Sequence, residues 1–283
     1  AAAISASRVC GVPLRSHRVA IFGSGVASVG IADSICDAMI RDGLPQQEAI
    51  ARFWFVDASG LLTGDRNGAL DDRLMTYARP PAESRGWKRE GDAVGLEEVV
   101  RQVRPTMLIG DSAIPGAFTE SIVREMAAHN ERPVIFPLSS PAPLVGATPA
   151  DLIEWTDGRA LVATRCPFGP VTYKGTTHVI GHVNNAMLYP GLALGAIVSR
   201  SRIISDGMFL AAANAVSSLV AVRQAGASLL PHADNLRGVS ATVAAAVAEA
   251  ALREGLAGAE LTDIVQQVHD AMWRPEYRIL RAA

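Results

Sequence analysis

A parallel, doubly wound α/β sheet is the fold class predicted by this sequence of 283 residues. Three observations carry the prediction. Short apolar runs recur, each closed by a glycine or an acid. Segments of helical period separate them. A glycine-rich turn follows the first run, where a strand hands over to a helix.

The five runs are 19–22, 53–56, 107–109, 134–136 and 160–163. None alternates polar with apolar positions, and near-continuous hydrophobicity is what a strand covered on both faces requires. Ahead of them, Ala1-Ala2-Ala3-Ile4 reads as a helix entered partway along, which suggests a fragment. Ile31, Ile35 and Met39 form an apolar stripe that ends near Gly43. Residues 65–95 are polar and rich in Pro and Gly, and read as a long surface loop with room for one helical turn. A shorter stripe covers Glu97 to Val103, and Thr119 caps a helix running to about His129, with Glu120 near its positive end. From Asn185 the chain turns Ala-rich, with helices expected over 185–200, 207–222, 239–254 and 259–272 on one side of the sheet. Residues 1–180 are thus expected to form a Rossmann-like core, and 181–283 a mostly helical C-terminal segment packed on it.

Apolar residues make up 49% and charged residues 19%, as in folded globular chains. Lys plus Arg is 26 against Asp plus Glu at 28, a net charge of −2, so there is no electrostatic case for a nucleic-acid or membrane-surface partner. No apolar stretch approaches the ~20 residues of a membrane span. Cys10, Cys36 and Cys166 share no metal-ligand spacing, and neither a disulfide framework nor a zinc site is expected; a reducing cytoplasm is the default location.

The turn is Gly23-Ser24-Gly25-Val26-Ala27-Ser28. Gly23 permits a tight bend and Gly25 lets a diphosphate approach the backbone. The helix start then offers free N–H groups and a positive dipole end. Ser28 stands where a third glycine is usual; it is small enough for close helix–strand packing, and its hydroxyl suits a phosphate. Asp57, closing the second run, is placed to accept hydrogen bonds from an adenosine ribose, although it lies 29 residues past Ser28, beyond the usual ~20. An acid there favours NAD over NADP, with Arg66 or Arg73 available to offset it. Asp111 follows the third run, as either a crevice residue or a solvated turn. Ser139-Ser140-Pro141 follows the fourth. Asn184 and Asn185 either present amide donors to a carboxylate or carboxamide, or cap a helix. No carboxylate cluster has metal-ligand spacing.

The segments FGSGVASVGIAD (22–33), RFWFVDASGLLT (52–63), RPTMLIGDSAIPGAFTE (104–120), ERPVIFPLSSP (131–141), EWTDGRALVAT (154–164), VNNAMLYPGLALG (183–195) and MWRPEYR (272–278) occur in this order. Over essentially its full length the chain resembles the NAD-binding domain of bacterial malic enzymes and the related malolactic enzymes. The resemblance implies oxidative decarboxylation of L-malate, or a related 2-hydroxy acid, to pyruvate and CO2 with NAD, assisted by Mg or Mn. The catalytic residues and metal ligands would lie upstream of Ala1, leaving this chain inactive alone. It also implies a homo-oligomer, dimer or tetramer. Gly23, Gly25 and Ser28 match the family's phosphate turn, Asp57 its adenosine-side acid, and Asn184 and Asn185 its amide pair near malate and nicotinamide. Ser140 stands on the nicotinamide side, where the family has Asn. Asp111, Arg165 and His182 also depart from the family pattern around the cofactor rim. These changes point to altered substrate, weakened activity or a non-catalytic NAD-binding subunit.

Overall fold

A computed structural model describes residues 1–66, 71–221 and 223–273. Three expectations fall partly outside these: positions 67–70 of the predicted loop, position 222 of the predicted helix 207–222, and 274–278 of the C-terminal motif.

Two compact units divide the chain. The first comprises residues 1–184 and 217–231, the second 185–216 and 232–283. In the first, α1 (Ala2–Cys10) precedes β1 (Val19–Phe22), α2 (Val26–Arg41), α3 (Gln46–Ile50), β2 (Phe53–Asp57) and β3 (Gly60–Leu61). Then come α4 (Asp72–Met75), α5 (Leu96–Val103), β4 (Met107–Gly110), α6 (Glu120–His129), β5 (Val134–Pro137), α7 (Pro149–Trp155) and β6 (Leu161–Thr164). β7 (Val171–Tyr173), β8 (Thr176–His178) and β9 (Gly181–His182) complete it.

The seven-stranded sheet has the order β3-β2-β1-β4-β5-β6-β9. Every pairing is parallel except the short β2–β3 contact. Successive side chains of a strand point to opposite faces, and both faces are buried. Val19, Ile21, Phe53, Phe55, Met107 and Ile109 pack with Val29, Ala32, Ile35 and Met39 of α2 and Ala3 and Ala6 of α1. Ala20, Phe22, Trp54, Val56, Leu108 and Ile135 pack on the other side against α5, α6 and α7. This double covering is why the runs read as continuous rather than alternating.

Two expectations need correction. The stretch 65–95 holds the one helical turn expected of it but is not all surface. It supplies the one-turn α4, and it buries Leu74 and Tyr77, whose ring lies 5.3 Å from those of Phe53 and Phe55 and whose hydroxyl donates to Asp33 at 2.8 Å. The predicted helix 185–200 opens instead with a 3-10 turn, Asn185–Met187, before α8 (Tyr189–Val198). His182 belongs to β9, paired with Thr164.

The second unit holds α8, most of α9 (Asp206–Ser218), α10 (Leu236–Arg253) and α11 (Ile264–Ala271). Here α8 lies very close to α10. A Cβ on Gly195 would stand 2.6 Å from the Ala244 carbonyl oxygen, and one on Gly191 would stand 2.5 Å from Val243 Cβ. Residues 217–231 return to the first unit. Leu229 joins the face covered by α1, and the Ser217 carbonyl accepts from the Arg8 guanidinium.

Candidate functional site

At β1 and β4 the strand order changes direction, since β2 and β3 lie to one side and β5, β6 and β9 to the other. Open α/β sheets take ligands outside the carboxyl ends of such a pair. The six-residue glycine turn lies there. Gly23 has φ 134°, and a Cβ on it would stand 2.8 Å from the Asp111 carbonyl oxygen and 3.0 Å from Ser28 Oγ. The fold itself therefore requires glycine at this position. The Gly23 N–H donates to Val56 O at 2.8 Å and the Asp111 N–H donates to Phe22 O at 2.9 Å, which pins the turn between its neighbouring strands.

Gly25 is different. It is the N-cap of α2, with φ −76° and ψ 169°, a conformation open to any residue, and a Cβ on it meets no atom within 4 Å. Internal packing gives no reason for glycine at 25. No side chain caps α2, and Gly25, Val26 and Ala27 are exposed. The first amides of a helix have no intrahelical partner and sit at its positive end. Bare backbone, open space and unpaired donors together suit an anion that approaches the main chain closely, as a diphosphate does.

Ser28 lies fully buried behind the turn, and its hydroxyl has no partner among the described residues.

Asp57 closes β2. Its Oδ1 accepts from the Ser59 N–H at 2.8 Å and from Arg66 Nη2 at 2.8 Å, and that same nitrogen donates to Oδ2 at 3.0 Å. Burial pushes its pKa up, but hydrogen bonds from Arg66, the Ser24 hydroxyl and the Ser59 N–H outweigh it and hold the carboxyl below its usual range. Arg73 pairs with Asp33 instead. The long interval from the turn to Asp57 is taken up by the 16 residues of α2 and a second helix, α3.

Across the crevice, Asp111 follows β4 with its side chain 17% exposed, 3.9 Å from an Arg165 guanidinium that is 55% exposed. Burial raises the Asp111 pKa, with Arg165 pulling the other way. The His182 Nε2, assigned as the protonated nitrogen, donates to the Arg165 carbonyl at 2.8 Å, so β9 fixes the main chain of Arg165. That pairing depends on a two-residue strand with no sequence signature. Ser139 is buried and accepts from the Ala113 N–H at 3.1 Å, while Ser140 is exposed beyond β5. Asn184 ends the first unit and Asn185 begins the second, both exposed, so the expected amide pair falls on the division between them.

Among the described residues no three His, Cys, Asp or Glu side chains are grouped to hold a metal ion. No helix among them is long and apolar enough to cross a membrane.

The family model described as "Malic enzyme, NAD binding domain" matches residues 1–252. "NAD-dependent malic enzyme 3" of Bacillus subtilis is 51% identical over all of this chain and 50% of its own length. The "Malolactic enzyme" of Lactiplantibacillus plantarum is 41% identical over 94% of this chain and 48% of its own. The chain spans about half the length of the curated relatives it matches. Among solved structures, malic enzyme from Pyrococcus horikoshii covers 95% of this chain, and this chain 56% of it, with TM-score 0.71 at 24% identity. At that identity the likeness speaks for the fold.

Proposed function

The chain belongs to the malic enzyme family as an NAD-binding domain, and from that premise we propose that it supplies the cofactor half of an enzyme converting L-malate, or a related 2-hydroxy acid, to pyruvate and CO2. The observation that carries the reading is Gly25, a glycine that nothing in the fold requires, at the uncapped start of α2 beside the switch point. In this reading the backbone amides of residues 25–27 take the diphosphate, and Asp57, kept anionic and oriented by Arg66 and the Ser59 N–H, takes the adenosine ribose. Ser140 borders the nicotinamide side, and Asn184 and Asn185 serve the substrate. NAD, when bound, supplies the hydride acceptor. In this reading the Mg or Mn of the reaction is held by ligands outside this chain, and the chain alone is inactive. The whole protein is proposed to be a cytoplasmic homo-oligomer.

The altered rim at Asp111, Ser140, Arg165 and His182 favours a second reading, a malolactic-type enzyme or a non-catalytic NAD-binding subunit. Two experiments separate these. Calorimetric titration of the chain with NAD tests the cofactor site, and NAD binding is the expected result. Assay of the whole protein with malate and Mn tests the chemistry. NADH without lactate supports the malic reading, lactate without NADH the malolactic one, and NAD binding without turnover the non-catalytic one.

A further inference from the structure

We propose that Asp111 binds the second ribose of the dinucleotide, the one bearing nicotinamide, with Arg165 offsetting its charge. The proposal rests on the dinucleotide reading of the glycine turn. A dinucleotide lies across the switch point, one half on each side of the sheet. With Asp57 holding the half over β1 and β2, the other half leaves the diphosphate toward β4, and Asp111 is the first residue beyond that strand. It also abuts the turn directly, its carbonyl being the atom that forces glycine at position 23.

The state of the side chain matches the task. A solvated turn carboxylate stands in water, whereas that of Asp111 is only 17% exposed. Buried carboxylates are normally satisfied by donors. Among the described residues this one has no hydrogen bond, only the 3.9 Å ion pair with Arg165, which is too long for one. An ionised carboxylate offers acceptor sites and no donor, and a ribose diol offers two donors side by side. The Arg165 guanidinium lowers the repulsion between Asp111 and a diphosphate while leaving those acceptor sites open.

The test compares two ligands that differ by this ribose, ADP-ribose and ADP, by calorimetric titration of the chain and of Asp111→Asn. The expected result is that the wild type prefers ADP-ribose at least tenfold. In the variant that preference collapses to within about threefold, while ADP affinity changes less than twofold. A wild-type preference below threefold overturns the proposal without any variant. So does an Asp111→Asn protein that binds both ligands more tightly, which would make the carboxylate merely repulsive, or one that keeps the preference. Should Asp111→Asn melt early, Asp111→Ser gives the same comparison with a smaller side chain. Failure of the wild type to bind either ligand would instead remove the dinucleotide reading itself.

Discussion

Replacing Gly25 by alanine separates what the fold needs from what a ligand needs. The new Cβ meets no protein atom within 4 Å, and the backbone at φ −76° is one alanine adopts freely. Two small effects act on stability. Alanine is a poorer N-cap than glycine by up to about 1 kcal/mol, while the less flexible unfolded chain returns about 0.4–1 kcal/mol. They nearly cancel, so the melting temperature is expected to move little. Cofactor affinity is another matter, because a methyl group there stands between the diphosphate and the amides. Charge-assisted hydrogen bonds are worth about 1.5–3 kcal/mol each, so NAD binding is expected to weaken by about 10- to 100-fold. The control is Gly23→Ala, whose Cβ would sit 2.8 Å from a carbonyl oxygen on a backbone with φ 134°. Strain and overpacking together put its cost at about 3 kcal/mol. Calorimetry with NAD and thermal melting of both variants are the assays. The reasoning is refuted if Gly25→Ala binds NAD as the wild type does, or if it is destabilised as much as Gly23→Ala.

Three further outcomes are expected. Asp57→Asn weakens NAD about tenfold and narrows the gap between NAD and NADP, since the acid both binds the ribose and repels a 2′-phosphate; an unchanged NAD/NADP ratio would count against it. His17 is buried, with Nδ1 bonded to Thr106 Oγ1 at 2.9 Å, and burial lowers its pKa to about 4. The stability from keeping it neutral is therefore full above its unfolded value of about 6.5 and is lost as pH falls toward 4, about 3 kcal/mol in all. Urea midpoints across that range should fall less steeply for His17→Asn, and equal slopes would contradict the assignment. Gly195→Ala forces a Cβ to 2.6 Å from the Ala244 carbonyl oxygen and is expected to cost about 1–3 kcal/mol in a denaturant melt, a result that a neutral substitution would overturn.

The strongest sequence signals are the ones packed from both sides. All five predicted strands stand within a residue of their expected bounds, because burial on two faces leaves little freedom in what those positions hold. The first helix was legible in its opening alanines, and it ends at Gly11 in the left-handed region. Other elements also carry local signals. Helix α7 opens with Thr148-Pro149-Ala150-Asp151, a capping box with proline in the first turn. The β7–β8 hairpin turns at Lys174 and Gly175, both at positive φ, inside a Thr-rich stretch. β3 and β9 are two residues long and exist only because a neighbouring strand offers its edge, so no local pattern announces them. At the site, the glycine turn and Asp57 are legible from their places at the ends of the first two strands. The hold of Arg66 on Asp57 and of His182 on Arg165 came only with tertiary contact.

A crystal structure of this chain grown with NAD addresses the central claim most directly. Diphosphate oxygens are expected about 2.7–3.2 Å from the amide nitrogens of residues 25–27, with the adenosine ribose hydroxyls on the Asp57 carboxylate. A dinucleotide bound anywhere else, leaving the first turn of α2 facing water, would contradict it.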